Sequence, residues 1–306
     1  MIKNSVQELE NFLAGDSVSA STTLIERLDA MGIRYEKESG QLRLAESLEL
    51  LDPATILSYA GTAELRLEVY RQIESTNDMV LKTLTAEEPF ACIAEMQTAG
   101  KGRRGRQWIS PFGRNIYLTL GRYLGGPMSR LEGLSLVVGM QVVDVLRTLG
   151  VNGIGLKWPN DLLLDDGKMG GILVEIQSPG ASGIGVVAGV GINLALDEDE
   201  ATAIDQPWSA AAGSASVSRN ELAGRMIRSL LAAIDVFDQS GFEAFAPLWN
   251  EYNAYTDQTI TVIRGDERIS GVDRGVDGNG NLLLEVEGSV QVHNAGEVSM
   301  RPVSPL

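Results

Sequence analysis

Cysteine and histidine are almost absent from this chain, whose 306 residues include one of each, Cys92 and His293. A single cysteine allows no intramolecular disulfide and no cysteine-rich zinc site, and this fits a reducing compartment such as the cytoplasm. With a single histidine, catalytic triads that use histidine and zinc sites with several histidine ligands are disfavoured. Several common kinds of hydrolytic chemistry are therefore disfavoured.

The chain also lacks a long uncharged apolar run and a positive net charge. Its most apolar stretch, residues 131–149, carries Glu132, Asp144 and Arg147, which indicates a core helix and not a membrane span. The first ten residues contain two glutamates and no apolar segment, so we expect no signal peptide. With 41 acidic residues against 25 basic ones, the formal net charge is −16, which argues against a protein held on duplex DNA mainly by charge.

What is present is the composition of an ordinary globular protein. The 44% hydrophobic share and the 22% charged share exclude wholesale disorder. The length suggests about two domains of roughly 150 residues each. Sequence patterns divide the chain into three regions, residues 1–60, 61–255 and 256–306.

The first region shows the pattern of a reduced winged helix. Apolar residues recur at helical spacing over residues 6–13 and 22–31, with Ser21 as the expected N-cap of the second helix. Apolar and polar residues then alternate around Ser39-Gly40, which predicts a small hairpin. Two helices and a hairpin are what remains of a winged helix when one helix is missing.

Strands and helices alternate over residues 61–255, which is typical of a mixed α+β domain. We predict one long helix over residues 129–149 and another over residues 242–253. We also predict a hairpin at Asp165-Asp166-Gly167, in which Gly167 supplies a positive φ. Residues 256–306 show short strands separated by glycine-containing turns, at the spacing of a small β-barrel.

The most unusual segment is a basic loop that places four cations in six positions, Gly100-Lys101-Gly102-Arg103-Arg104-Gly105-Arg106. Its glycines allow the backbone to approach a ligand closely, and its lysine and arginines supply charge and donors for phosphate. A solvated basic surface loop or a nucleic-acid patch is the alternative. Trp108 follows directly, which favours a loop that closes over a ligand, since four packed cations repel one another unless an anion joins them.

Three further segments combine polar residues with turns or glycines. Lys157-Trp158-Pro159-Asn160-Asp161 is either a ligand-binding turn or a plain connection between strands. Lys168 begins a strand, where a lysine is usually exposed and unimportant, but Gly170 and Gly171 permit the close approach of a ligand. Ser75-Thr76-Asn77 starts a helix, where an N-cap is the simplest reading and binding of a polar ligand group the alternative.

The order of these segments resembles the biotin–protein ligase family. The motifs that carry the resemblance are Glu74-Ser75-Thr76-Asn77, the run from Glu95-Met96-Gln97 through the basic loop to Trp108, Lys157-Trp158-Pro159-Asn160-Asp161, Lys168 to Glu175, and Gly191-Ile192-Asn193. The resemblance covers roughly residues 65–306. It is strongest to the ligase type that also carries an N-terminal winged helix and represses biotin-synthesis genes.

The resemblance implies a fold, a reaction and partners. The fold is a class II synthetase-like α+β catalytic domain with a central mixed or antiparallel sheet, followed by an SH3-like barrel. Biotin and Mg²⁺-ATP react to biotinyl-5′-AMP and pyrophosphate, and a lysine of a biotin carboxyl carrier protein then takes the biotinyl group. We expect no membrane partner, and a homodimer is possible.

The resemblance also implies residue roles. Lys168 and Arg103 are expected to be catalytic. The expected biotin-binding residues are Ser75, Thr76, Asn77, Gln97, Lys101, Gly102, Arg103 and Lys168. The expected residues for ATP and the adenylate are Arg103, Arg106, Trp108, Asn160 and Asn193. Asn160 and Asp161 are the expected neighbours of Mg²⁺.

The N-terminal region departs from the repressor type, because it is shorter and acidic. Residues 1–60 carry ten acidic residues and five basic ones, and the helix over residues 22–31 offers only Arg27 to DNA, beside Glu26 and Asp29. We therefore expect little or no DNA binding. The functional alternatives are a lipoate–protein ligase, which shares the catalytic fold, and a biotin-responsive transcriptional repressor.

Overall fold

A computed structural model describes residues 2–180, 183–196, 198–211, 217–295 and 298–302. Three sheets organise these residues, and each falls within one of the three regions separated above. The domain boundaries at residues 60 and 255 stay predictions. No helix in the described ranges is long and apolar enough to cross a membrane.

The N-terminal region consists of two helices and a small three-stranded sheet. Its elements are α1 (Ile2–Leu13), β1 (Val18–Ser19), α2 (Thr22–Ala30), β2 (Tyr35–Glu38) and β3 (Gln41–Leu44), with strand order β1-β3-β2. The Ser21 hydroxyl accepts the backbone N–H of Leu24 at 3.2 Å, so the expected N-cap is present. Ser39 and Gly40 take positive φ in the hairpin turn. The winged-helix interpretation itself stays a prediction.

The middle region, residues 61–255, is built on a seven-stranded mixed sheet. Its strands are β4 (Arg66–Tyr70), β5 (Phe90–Ala94), β6 (Ile116–Leu124), β7 (Gly155–Lys157), β8 (Asp161–Leu164), β9 (Gly167–Gly180) and β10 (Gly183–Ile192). The order is β4-β5-β6-β10-β9-β8-β7, in which β4 and β5 are parallel and the other neighbours are antiparallel. The predicted mixed central sheet is therefore confirmed.

Four helices pack with this sheet: α3 (Pro53–Ala60), from the end of the first region, and α4 (Thr76–Thr83), α5 (Leu134–Thr148) and α6 (Arg219–Ser240). Most of α5 is buried, and one face of α6 is buried against it and against α3. The core of the sheet and these helices continues into the C-terminal barrel through Ile260, Val262 and Leu282. Burial of this continuous apolar surface holds the sheet in place beneath the site.

Two predicted helices are shorter or tighter than expected. The helix predicted over residues 129–149 begins only at Leu134, after a 3₁₀ turn at Met128–Leu131, because Gly133 takes a φ of +79°. A Cβ on Gly133 would lie 2.5 Å from the Phe242 ring, so close packing also requires glycine there. Residues 242–253 form two 3₁₀ segments, Phe242–Ala244 and Ala246–Glu251, instead of one α-helix.

The predicted hairpin at residues 165–167 exists, but its geometry differs. Asp165 and Asp166 take φ values of +48° and +63°, while Gly167 has no positive φ and already belongs to β9. The prediction that Gly167 supplies the positive φ was therefore wrong. Glycine is needed there for another reason, since a Cβ would lie 2.3 Å from Ser209 Oγ and 2.6 Å from the Trp208 backbone.

The C-terminal region is a small antiparallel SH3-like barrel. Its strands are β11 (Thr259–Arg264), β12 (Glu267–Val276), β13 (Leu282–Val286), β14 (Ser289–His293) and β15 (Val298–Pro302), in the order β14-β13-β12-β11-β15. The indole N–H of Trp158 donates to the Gly280 carbonyl at 3.0 Å and connects the barrel to the middle region. Met300 of β15 consequently faces the site described next.

Candidate functional site

Two adjoining cavities lie where the start of α4, the basic loop and strands β9 and β10 meet. The first cavity, of about 150 Å³, is lined by almost every predicted site residue: Ser75, Thr76, Asn77, Gln97, Lys101, Gly102, Arg103, Arg106, Trp108, Asn160, Asp161 and Lys168. The exception is Asn193, which lines the second cavity of about 240 Å³. Arg106, Trp108 and Lys168 line both cavities, so these two spaces share a wall.

The start of α4 forms the polar floor of the first cavity. Ser75 is the N-cap, and its hydroxyl accepts the Asp78 N–H at 3.3 Å. Thr76 donates its backbone N–H to the side-chain amide oxygen of Gln97, Oε1, at 2.9 Å. Ser75, Thr76 and Asn77 are all buried, although each also lines the cavity. The predicted N-cap is confirmed, and the binding of a polar ligand group stays a prediction that the cap allows, since capping fixes the turn that presents these side chains.

Gln97 connects the floor to the basic loop. Its amide nitrogen donates to the Ser110 hydroxyl at 3.2 Å, and Ser110 donates in turn to the Trp108 carbonyl at 3.0 Å. Gly100 lies beneath this chain, because a Cβ there would come within 2.6 Å of the Trp108 carbonyl oxygen. Gln97, which also contacts Thr76, therefore holds the C-terminal end of the basic loop through Ser110 and Trp108.

The basic loop folds back on itself over the cavity. Gly102 donates its N–H to the Arg106 carbonyl at 2.7 Å, across a 3₁₀ turn at Arg103–Gly105. Arg103 reaches out of this turn to Asn160 Oδ1 at 2.9 Å and to the carbonyl of Ala295 in the barrel. Its burial, together with the nearby Arg104 charge, lowers the pKa of the Arg103 guanidinium.

Trp108 forms the wall between the two cavities. Its ring lies on two paired glycines of adjacent strands, since a Cβ would approach the ring to 2.5 Å at Gly191 and to 3.4 Å at Gly171. The Lys168 ammonium lies 5.6 Å from the ring centroid, which is within the range of a cation–π contact. The indole nitrogen is buried, and no described residue accepts its hydrogen bond.

A carboxylate between two lysines lies beside this wall. Asp161 Oδ2 is 3.0 Å from Lys157 Nζ, and its Oδ1 is 2.6 Å from Lys168 Nζ. Burial alone would raise the Asp161 pKa, but the charges of Lys168 and Lys157 outweigh it and the pKa is lowered. The Lys168 side chain is only 18% exposed, so the usual surface lysine at the start of a strand is not what occurs here.

The second cavity is lined by a segment that sequence reasoning missed. Residues 203–206 and Trp208 face Asn193, Lys168 and the basic loop there. Pro207 and Ser209 hydrogen-bond the Lys168 backbone at 3.0 and 3.1 Å, so this segment runs beside the start of β9. The one signal in the sequence was Trp208, since the chain has only four tryptophans.

Three further residues of the site were not among the predicted site residues, although Glu175 ends one of the motifs quoted above. Thr119 is fully buried in β6 and contacts Thr76 and Asn77 at 2.8 and 2.6 Å. Glu175 of β9 accepts from the Asn77 amide at 2.8 Å. Gly189 lies under Asn77, whose Oδ1 would be 2.1 Å from a Cβ. A threonine, a glutamate and a glycine within strands are ordinary, so only the fold identifies them.

The arrangement suits a ligand with a polar neutral head and an anionic tail. Amides and hydroxyls form the floor and tryptophan forms a wall. The cations of the basic loop line the first cavity, and Arg106 and Lys168 line both cavities at their junction. Such cations reduce repulsion when one anion approaches another and stabilise charge that develops in the reaction. Within the described ranges, no three His, Cys, Asp or Glu side chains are grouped to hold a metal ion.

Comparisons with known proteins agree with this geometry. Residues 69–193 match the biotin/lipoate A/B protein ligase family, and residues 256–301 match the biotin protein ligase C-terminal domain. The bifunctional ligase/repressor BirA of Escherichia coli K12 is 39% identical over 261 residues, covering 84% of this chain and 80% of the relative. The biotin–[acetyl-CoA-carboxylase] ligase of Mycobacterium tuberculosis is 32% identical, covering 78% of this chain and 90% of the relative.

A solved structure has the same fold. The biotin protein ligase from Aquifex aeolicus, in complex with biotin and ATP, superposes with a TM-score of 0.65 at 24% identity. The match covers 78% of this chain and 99% of that structure. At this level of identity the likeness concerns the fold alone.

Proposed function

Because this chain belongs to the biotin/lipoate A/B protein ligase family, we propose that its first cavity binds biotin and its second cavity the nucleotide of ATP. The chain is an ATP-dependent biotin–protein ligase. The observation that supports this assignment of the cavities is the shared wall of Trp108 and Lys168, with a polar amide floor on one side and Asn193 on the other.

The first half-reaction joins two anions. A carboxylate oxygen of biotin attacks the α-phosphorus of ATP, the bond from that phosphorus to the bridging oxygen breaks, and pyrophosphate leaves. Lys168 lies at the junction of the cavities, and we assign it the stabilisation of the carboxylate and the developing phosphorane charge. Arg103, held by Asn160 and Ala295, is positioned to neutralise the same junction from the loop side.

The second half-reaction transfers the acyl group. The amine of a carrier-protein lysine attacks the acyl carbon of biotinyl-5′-AMP, AMP leaves with the bonding electron pair, and the amine loses a proton. Trp108 and the basic loop cover the junction, so we propose that they protect the mixed anhydride from water until the carrier domain arrives. Lys101 is ion-paired with Asp78 at the loop's other end and fixes the loop to α4.

The contacts of Asn160 and Asp161 do not fit a direct magnesium site. Each Asp161 oxygen is already within 3.0 Å of an ammonium group, and Asn160 Oδ1 accepts from Arg103. A cation placed there would meet three positive side chains. We propose instead that Mg²⁺ belongs to the ATP substrate and that Asp161 holds Lys157 and Lys168.

The partner and location follow from the family as expectations. The Mycobacterium tuberculosis relative is named for acetyl-CoA carboxylase, and we propose a biotin carboxyl carrier domain as the acyl acceptor of this chain. A cytoplasmic location and a homodimer stay predictions.

Incubation with ATP and either biotin or lipoate tests the function. We expect biotinyl-5′-AMP and pyrophosphate to form. We also expect the biotinyl group to be transferred to a carrier domain, but not to a carrier variant in which arginine replaces the acceptor lysine. Mass spectrometry of the acid-quenched mixture detects the adenylate. Formation of lipoyl-AMP without biotinyl-AMP would establish the lipoate alternative, and the absence of both adenylates would refute the assignment of the cavities.

A further inference from the structure

Two residues behind the cavity floor determine how the floor can hydrogen-bond. Thr119 is fully buried in β6, between Cys92 of β5 and Gly189 of β10. Glu175 lies in β9. Neither side chain is among those that line the cavity, yet both hydrogen-bond to Asn77, which does line it.

The orientation of the Asn77 amide is set by its neighbours. Its nitrogen lies 2.8 Å from Glu175 Oε2 and 3.3 Å from the Leu173 carbonyl, and both of these are acceptors. The two N–H groups are therefore used on β9, and the amide oxygen faces Thr119 at 2.6 Å. The reverse orientation would set an oxygen against a carboxylate and a carbonyl.

The Thr119 hydroxyl has one proton and two oxygen neighbours. Asn77 Oδ1 has no proton, so Thr119 must donate to it. Thr119 then accepts from the Thr76 hydroxyl, which lies 2.8 Å away. The Thr76 hydroxyl also lies 3.1 Å from Gln97 Oε1, which already accepts the Thr76 backbone N–H at 2.9 Å. A Thr76 proton directed at Gln97 would leave no proton between the two hydroxyl oxygens, because Thr119 donates its own to Asn77, so the shorter bond to Thr119 is the one that forms. The bonds consequently run in one direction, from Thr76 through Thr119 and Asn77 to Glu175.

We infer that Thr119 and Glu175 are positioning residues that make Thr76 and Asn77 present acceptor lone pairs to the ligand. The inference rests on the proposed function, because it concerns how this cavity selects a ring. Gly189 contributes by leaving open the space over Asn77 Oδ1, where a Cβ would lie 2.1 Å away. A floor of acceptors selects a ring that carries N–H donors.

This selection separates the two acids that the family processes. The ureido ring of biotin has two N–H donors, whereas the dithiolane ring of lipoate has none. A lipoyl group in this cavity would leave buried acceptors unpaired, and an unpaired buried polar group costs far more than a hydrogen bond gains. Thr119 and Glu175 thus favour biotin without touching it.

Thr119→Val tests the inference, because it removes the hydroxyl while keeping the shape. It leaves Asn77 Oδ1 without a donor and frees the Thr76 proton. Thr119→Ser retains the hydroxyl, and Thr83→Val is a matched control that removes a hydroxyl bond to Met79 at the far end of α4. Calorimetry would measure the dissociation constants of biotin, ureido-N-methylated biotin and ATP for each protein.

We expect Thr119→Val to weaken biotin binding at least about tenfold, as for a buried group that loses its partner. The ATP dissociation constant should change by less than about twofold, and Thr119→Ser and Thr83→Val should bind biotin as the unaltered chain does. In the unaltered chain, N-methylation should weaken binding at least about tenfold. In Thr119→Val, N-methylation of biotin should weaken binding by a smaller factor than it does in the unaltered chain.

Unchanged biotin affinity in Thr119→Val would overturn the inference, and so would equal weakening of biotin and ATP, which indicates general disorder of the site. If Thr119→Val does not fold, the dissociation constants of the unaltered chain still test the inference. Equal affinity for biotin and for ureido-N-methylated biotin would contradict a floor of hydrogen-bond acceptors. Failure of the unaltered chain to bind biotin at all would instead refute the proposed function.

Discussion

A single carboxylate organises the charges at the junction of the cavities. Asp161 pairs with Lys157 and Lys168, and it is strongly buried, with 13% of its side chain exposed. Its lowered pKa means that it stays ionised well into the acid range and that its stabilising contribution is lost only as the pH falls through that lowered value. Lys168 is therefore held in place by a partner that does not depend on the ligand.

Removal of Lys168 should affect chemistry far more than folding. We expect Lys168→Ala to slow adenylate formation at least about 100-fold, as for the loss of a group that stabilises transition-state charge. The free energy of unfolding should fall by about 1–3 kcal/mol, because the buried Asp161 loses one partner but keeps Lys157. Single-turnover assays and urea unfolding would measure the two effects, with the exposed Lys82→Ala on α4 as control. Parallel losses of activity and stability would contradict this role.

At the scale of elements, the β8–β9 hairpin supports the nucleotide side of the site. Its turn residues Asp165 and Asp166 adopt positive φ, and the strand that follows lies against the segment around Trp208. Gly167 allows that contact, and Ser209 donates its hydroxyl to the Leu164 carbonyl at 2.5 Å on the neighbouring strand. The hairpin and the 203–209 segment therefore form one packed unit.

Gly167→Ala should disturb this unit. The added methyl group would overlap the Trp208 backbone, so we expect a loss of about 1–3 kcal/mol in unfolding free energy. The KM for ATP should rise while the KM for biotin changes little, because Trp208 lines only the second cavity among the two. Asp166→Gly is the matched control, since glycine tolerates its φ of +63°. Equal behaviour of the two variants would contradict the packing argument for Gly167.

Charge distribution is the property of the whole molecule that bears on regulation. The net charge is −16, and the N-terminal region, with ten acidic residues against five basic ones, contributes to that excess. The cations of the basic loop instead line the cavities. In α2, Glu26 and Asp29 accompany Arg27, and Asp29 also accepts from the Tyr35 hydroxyl. Acidic side chains beside the one arginine of α2 disfavour contacts with the phosphates of duplex DNA, and the expectation of little or no DNA binding stays a prediction.

We therefore expect no sequence-specific DNA complex, with or without biotin and ATP, in a gel-shift assay at physiological salt. Ligase activity of the same sample would show that the protein is folded and binds biotin and ATP. The relative from Escherichia coli is named both ligase and repressor, so its operator is a suitable probe beside promoter DNA for biotin-synthesis genes. A tight complex that competitor DNA does not displace would show that the charge argument is wrong.

The sequence pattern by itself predicted the alternating strands and helices and the small barrel, whereas the central sheet and the roles of the cavity residues came from the resemblance to a family. Local signals were sufficient for single caps and turns: Ser21 and Ser75 cap helices, and Ser39-Gly40 turns a hairpin. The basic loop was recognisable because four cations within six residues require an explanation. Such features depend on neighbours along the chain, so a linear pattern contains them.

The tertiary structure decided the features that depend on contacts between distant residues. Phe242 at Gly133 shortens the start of α5, and Trp208 explains Gly167. The pairing of Asp161 with both lysines, and the direction of the hydrogen bonds from Thr76 to Glu175, arise because four strands and a helix bring those side chains to within about 3 Å of one another. Proton direction and close packing depend on what lies across the sheet, and no local pattern in the sequence records it.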